Sequence, residues 1–174
     1  YGHGIREVAK VLVEEGVEYL GVAFLDEAKT LRKAGIKNNI LVLGAILPHE
    51  IEGVLELGVI QSISDLRIAR LLSRLAKKLN KAPKVHVKID TGMGRLGFWH
   101  KDAHDFIKHI YGLKNIEIDG IFTHFPSAED DKSFTEQQLQ DFMTLIKELE
   151  GEGIHIPTKH TSNSSAIVNF RKSH

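Results

Sequence analysis

At 174 residues, with 42% apolar and 26% charged side chains, the chain has room for one sizeable core and the composition of an ordinary globular protein. Its 23 basic and 23 acidic residues cancel, which removes the global field that a nucleic acid or an anionic membrane would recognise. It has no cysteine, so disulfide frameworks and thiolate metal sites are excluded, and no apolar run approaches the roughly 20 residues that cross a bilayer. A cytoplasmic protein is expected. The opening Tyr1-Gly2-His3-Gly4, without an initiator methionine or a preceding strand, leads us to expect a fragment.

Ile5, Val8, Ala9 and Leu12 mark one face of a helix over 4–15, which Gly16 closes. Tyr19 to Phe24 reads as a strand. Asp26 is placed to cap a short helix carrying Ala28, Leu31 and Ala34, ended by Gly35. The continuous apolar run from Asn39 to Gly44 is that of a strand buried on both faces. Pro48 opens a helix bearing Ile51, Val54 and Leu55, and Val59 to Ser62 is the next strand. Ser64 is expected to cap a longer helix whose Ile68, Ala69, Leu72, Leu75, Ala76 and Leu79 form a wide stripe.

Lys84 to Asp90 alternates as a strand and breaks into a loop that runs to Trp99. Asp102 starts a helix with Ala103, Phe106, Ile107 and Ile110 inward, and Ile116 to Phe122 is a strand. Ser133-Phe134-Thr135-Glu136 has the form of a capping box for a helix with Leu139, Phe142, Ile146 and Leu149. Ile154 to Lys159 is the last strand, followed by a segment after Asn163. Six strands alternating with helices imply a parallel sheet, either doubly wound or part of a (β/α)8 TIM-type barrel. No glycine-rich turn follows the first strand, and polar residues are spread over several strand ends. Both features favour an incomplete barrel, about six of its eight strands.

The carboxyl ends of these strands collect the residues with chemistry. Gly92, Gly94 and Gly97 allow a loop tight enough to bring Lys88 and Arg95 into one small volume. Two cations sharing a low-dielectric interior are costly, so something must neutralise one of them. Deprotonation of Lys88, a bound anion, or carboxylation of its nitrogen to a carbamate would each do so. His124, at a strand terminus, reads either as a satisfied core histidine or as a functional one. Ser164, after Asn163 and at a helix start, is either an ordinary cap or a phosphate contact. His100 and His104 have helical i, i+4 spacing but no third metal ligand, so exposure is the expectation and no metal is assigned. The acidic run Glu129-Asp130-Asp131 reads as solvated.

Tyr1-Gly2-His3-Gly4, Leu41-Val42-Leu43-Gly44, Lys88 through Gly97, Phe122-Thr123-His124-Phe125 and His160-Thr161-Ser162-Asn163-Ser164 occur in an order and spacing that closely resemble bacterial alanine racemase. The resemblance covers essentially the whole chain, and the lysine-to-arginine glycine loop is its most specific part. It implies a pyridoxal 5'-phosphate barrel followed by a C-terminal β domain, working as a homodimer that interconverts L- and D-alanine for peptidoglycan synthesis. Tyr1 and Ser164 would hold the cofactor phosphate with Asn163 beside them, and Leu43 would form an apolar wall. Lys88 matches the family's carboxylated lysine, Arg95 its partner near the substrate carboxylate, and His124 the histidine behind the pyridine ring. The resemblance places the Schiff-base lysine four residues before Tyr1 and the opposite-face tyrosine in the β domain. No catalytic base is then expected within 1–174, which is expected to be a partial barrel domain, inactive and without bound cofactor. Three alternatives remain: a serine or broad-range amino-acid racemase of the same family, a non-catalytic pyridoxal-phosphate-binding barrel protein, and a structural or binding module with no cofactor.

Overall fold

A computed structural model describes residues 2–173. Its centre is a parallel sheet of six strands in the order β1 (Tyr19–Val22), β2 (Asn39–Val42), β3 (Ile60–Ile63), β4 (Lys84–Asp90), β6 (Glu117–Phe122) and β7 (Thr158–His160). The two-residue β5 (Phe98–Trp99) pairs with the end of β4. Every pairing is parallel and every main crossover carries a helix, so the alternation legible in the sequence becomes a half-barrel. The helices are α1 (Ile5–Glu14), α2 (Leu25–Lys33), α3 (Ile51–Leu57), α4 (Leu66–Lys78), α5 (Ala103–Tyr111), α6 (Lys132–Gly151) and α7 (Ser164–Asn169). Among the described residues no helix is long and apolar enough to cross a membrane.

Alternation along the strands divides their side chains between two faces. Val22, Val42, Ile63, Val85, Val87, Ile89 and Ile121 join Leu31, Val54, Leu72, Ile107 and Phe142 of the helices in one continuous core. The alternate residues Leu41, Ser62, His86, Lys88 and Phe122, also buried, lie outside that cluster and take the inner face. This is why a lysine and a histidine interrupt an otherwise apolar strand. At full burial, each core Leu, Ile or Phe contributes roughly 1.5–3 kcal/mol, and the outer layer carries most of that stabilisation.

Helix starts differ from the expected ones in three places. Asp65, not Ser64, caps α4, its carboxylate accepting from Arg67 N at 2.7 Å. Asp131, not Ser133, caps α6 by accepting from Phe134 N, and Glu136 instead pairs with Lys172 across to the C-terminal segment. Asp26 lies inside α2, whose first turn is closed by Glu27 accepting from the Ala23 and Phe24 amides. In each case the carboxylate beats its hydroxyl neighbour, or is placed one residue better, because a charged acceptor is the stronger partner for the free amides of a first turn. The α1 stripe exists but is not covered: only Ala9 is buried, while Ile5, Val8 and Leu12 stay exposed.

Candidate active site

The carboxyl ends of β2, β4, β6 and β7 converge on one rim, and the loop after β4 is its most constructed part. Asp90, the last residue of that strand, accepts hydrogen bonds from Gly92 N at 2.9 Å and from Gly94 N at 2.9 and 3.1 Å. A carboxylate thus closes the turn that the glycines permit. Gly97 has φ 127°, and a Cβ there would fall 2.7 Å from the Asp90 nitrogen and 2.8 Å from the Ile89 carbonyl carbon. Only glycine fits against that backbone. Beneath the loop the Thr91 and Thr123 hydroxyls meet at 2.8 Å, and Gln138 of α6 donates to Thr91, which ties the loop to β6. Among the described residues the buried Gln138 carbonyl oxygen has no hydrogen-bond partner.

Lys88 is 6% exposed on the inner face, its Nζ 4.5 Å from the centre of the Phe122 ring. Burial, reinforced by the Arg95 charge and partly offset by Asp90, pulls its ammonium pKa down to about 8. Arg95 is exposed on the loop, yet its field reaches both Lys88 and His124. His124 is half-buried at the end of β6; desolvation first, then the Lys88 and Arg95 charges, push it below the usual imidazole range. The fold therefore brings Lys88, Arg95 and His124 into electrostatic contact with one another.

Asn163 bridges two strand ends. Its Oδ1 accepts from Ala166 N at 2.9 Å, capping α7, and its Nδ2 donates to the Phe125 carbonyl at 2.7 Å. Ser164 is thereby the exposed first residue of α7 rather than its cap. Leu43 sits 41% exposed at the end of β2, its Cδ1 over the bare Cα of Gly21. Tyr1 lies outside the described residues. His100 and His104, expected to be exposed, are instead partly buried, each beside a carboxylate, His104 with Glu152 at 3.0 Å and His100 with Asp141 at 3.9 Å.

Residues 1–174 match the family profile described as "Alanine racemase, N-terminal domain". The chain belongs to that family. It is 44% identical to the alanine racemase of Halothermothrix orenii over 173 residues, 99% of this chain and 46% of the relative. It is likewise 44% identical to that of Methanococcus maripaludis, over 100% of this chain and 47% of the relative. Among solved structures, the alanine racemase of Clostridium difficile in complex with cycloserine superposes with a TM-score of 0.96 at 36% identity, covering 99% of this chain and 48% of that one. A histidine racemase from Leuconostoc mesenteroides superposes at 0.84 with 25% identity, over 94% of this chain and 44% of that one. The chain spans about half the length of the alanine racemases it matches.

Sequence reasoning missed several members of this alanine racemase half-barrel. Asp90 read only as a strand end, although an Asp followed by glycines at the second and fourth positions is an Asx-turn signal. His86, Asp119 and Tyr19, all drawn to the inner face, gave no motif. Alternation around His86 in an apolar strand was the available clue.

Proposed function

We propose that this chain forms the cofactor- and substrate-supporting half of a pyridoxal-phosphate-dependent racemase that interconverts L- and D-alanine for the cell wall. The observation that carries the proposal is the junction of a buried Lys88, an exposed Arg95 and a half-buried His124 on one rim, built by a loop whose Gly97 leaves no room for a side chain. The exposed Ser164 hydroxyl at the start of α7, which Asn163 positions, would supply a polar contact and Leu43 beside Gly21 an apolar one, groups that suit a phosphorylated aromatic ring. Pyridoxal phosphate, when bound, supplies the electron sink that makes removal of the α-proton feasible.

Lys88 has the chemistry of a carbamate former. A lysine with a pKa of about 8 is neutral in roughly half the molecules at pH 8, against well under 1% for an unperturbed one. Once the ammonium has given up one proton, the neutral amine adds its lone pair to the carbon of carbon dioxide, a C–N bond forms as one C=O π bond opens onto oxygen, a second proton leaves to solvent, and the site has exchanged a cation for an anion. That anion would pair with Arg95 and hold the guanidinium for the substrate carboxylate. His124 held neutral can accept or donate a hydrogen bond without adding a third positive charge. In the extended protein we place a head-to-tail homodimer with a second, β domain, and the proton-transferring lysine and tyrosine outside these 174 residues.

With carbon-13 bicarbonate, the 174-residue chain is expected to show a carbamate carbonyl resonance that disappears in Lys88→Met. No such resonance at pH 8 would remove the carbamate. The chain incubated with pyridoxal phosphate and L-alanine is expected to form no D-alanine, whereas the same segment placed within a full alanine racemase sequence turns over. Turnover by the 174 residues alone would show that they hold their own proton-transfer groups. The histidine racemase that shares the fold favours a second reading, in which the substrate is another amino acid; a panel of L-amino acids supplied to the extended protein separates the two.

A further inference from the structure

Alongside the Lys88 row, the inner face carries a second set of polar side chains drawn from four strands. His86 on β4, 1% exposed, has its Nδ1 3.0 Å from Nε2 of His160 on β7 and its Nε2 3.3 Å from Oδ2 of Asp119 on β6. The same Asp119 oxygen accepts from the Tyr19 hydroxyl at 3.0 Å, and Oδ1 accepts from Lys84 Nζ at 2.6 Å. The backbone is shaped for this set. A register shift between β4 and β6 leaves Asp119 as the extra residue, and such bulges re-aim side chains. At Gly120 a Cβ would lie 2.5–2.6 Å from three atoms of the His86 ring, so only glycine lets that imidazole lie across β6 to reach β7.

Proton bookkeeping gives the chain a direction. Lys84 and Tyr19 keep Asp119 ionised, so it can only accept, and His86 must present Nε2–H to it. Neutral His86 then has a lone pair at Nδ1, which requires the proton of the shared bond to sit on His160 Nε2. Burial pushes both imidazoles below their ordinary range, His160 to about 4. The titratable groups facing the pair are Tyr19 on β1, Lys84 and Lys88 on β4, and Asp119 on β6. His160 in turn lies flat on Phe122, ring centres 4.6 Å apart and planes 6° apart. Register puts Lys88, Phe122 and His160 side by side on successive strands, so the Phe122 ring stands between the lysine and the histidine.

We infer that Asp119, His86 and His160 form a one-directional hydrogen-bond relay that locks both imidazoles in the neutral Nε2–H tautomer, and that they are positioning residues for Lys88, fixing through His160 the ring on which its amine rests. The link to Lys88 deepens the reading of that residue given above, whereas the tautomers are independent of it.

Long-range proton–nitrogen correlation of the imidazoles in the 174-residue chain, in buffer depleted of carbon dioxide, tests the relay directly. Both rings should show Nε2 protonated and Nδ1 bare; Nδ1–H on either ring, or rapid exchange between tautomers, would overturn the relay. In Asp119→Asn, Lys84 retains the amide oxygen and the amide nitrogen faces His86, so both rings should switch to Nδ1–H. Tyr19→Phe should leave them as they are. The second arm titrates the Lys88 amine. His160→Ala frees Phe122 and should raise its pKa by about a unit as water enters, while His160→Phe, which keeps the stacked ring, should not. Equal values in the two variants would remove the positioning role. Because the buffer holds no carbon dioxide, these results stand apart from whether the carbamate forms.

Discussion

Lys88 is the side chain whose chemistry is most altered by its address. In the unfolded chain it titrates near 10.5, and in the folded chain near 8, so the protonated form is the one the fold disfavours. Below pH 8 both states carry the proton and the folded state bears the full cost. Between about 8 and 10.5 the unfolded chain binds more protons, and stability rises with pH. Replacing the lysine with Met, which keeps the stem and removes the charge, should therefore stabilise the chain below pH 8 by up to about 3 kcal/mol, with the advantage fading as pH approaches 10. Urea unfolding of both proteins at pH 7, 9 and 10, without carbon dioxide, gives the difference curve. A gap that does not narrow with pH would mean that Lys88 is not desolvated in the way its burial indicates. That Lys88 and Arg95 share a field was legible from the glycine spacing between them. That Asp90 organises the turn was not, because its partners are backbone amides, which the sequence does not display.

At the scale of single elements, the glycine loop and the helix caps show where sequence patterns do and do not suffice. Strand β4 has the bounds its alternation predicts, since a residue type on every position reports which face it takes. Strands β1 and β2 end two residues short of their apolar runs, because Ala23, Phe24, Leu43 and Gly44 already belong to the turns at the rim, whereas β3 runs one residue past its expected end, β6 ends at Phe122 as expected, and β7 forms only over Thr158–His160, four residues after its expected start. Caps were misread where two suitable residues stood close together, Ser64 beside Asp65 and Ser133 two after Asp131. Which one caps depends on where the sheet lets the first turn begin. Within the loop, three glycines look alike in sequence yet differ in what surrounds them. Gly94, φ 70°, has open space where a Cβ would go, whereas the Gly97 Cβ would strike fixed backbone of β4. Gly94→Ala should cost about 1 kcal/mol, the left-handed penalty alone. Gly97→Ala should cost clearly more, about 3 kcal/mol, with Lys88 displaced as its Cγ would lie 3.2 Å from the new methyl. Chemical denaturation measures both, and equal losses would mean the loop moves away from β4 freely.

On the scale of the whole molecule, the half-barrel leaves two kinds of surface unsatisfied. Strands β1 and β7 are edges of the described sheet, and a parallel edge offers a row of free amides and carbonyls. Next to β1, the apolar stripe of α1 faces a cleft of about 820 Å³ lined by Ile5, Val8, Leu12, Leu20 and Leu43. The periodicity of that helix was legible, but periodicity states only that a face is apolar, and here the face is uncovered. Exposed apolar side chains beside an unpaired edge drive association when no other partner covers them. The 174-residue chain on its own is therefore expected to self-associate with increasing concentration through this corner. Val8→Glu and Leu12→Lys, both at exposed positions, should weaken that association at least tenfold and lower the melting temperature little, because neither side chain contributes much to the folded monomer. Sedimentation equilibrium across a hundredfold range of concentration reads the effect. If the double variant associates as tightly as the parent, the contact runs through the β7 edge instead, and reversing the charge on that strand with Lys159→Glu should then weaken it.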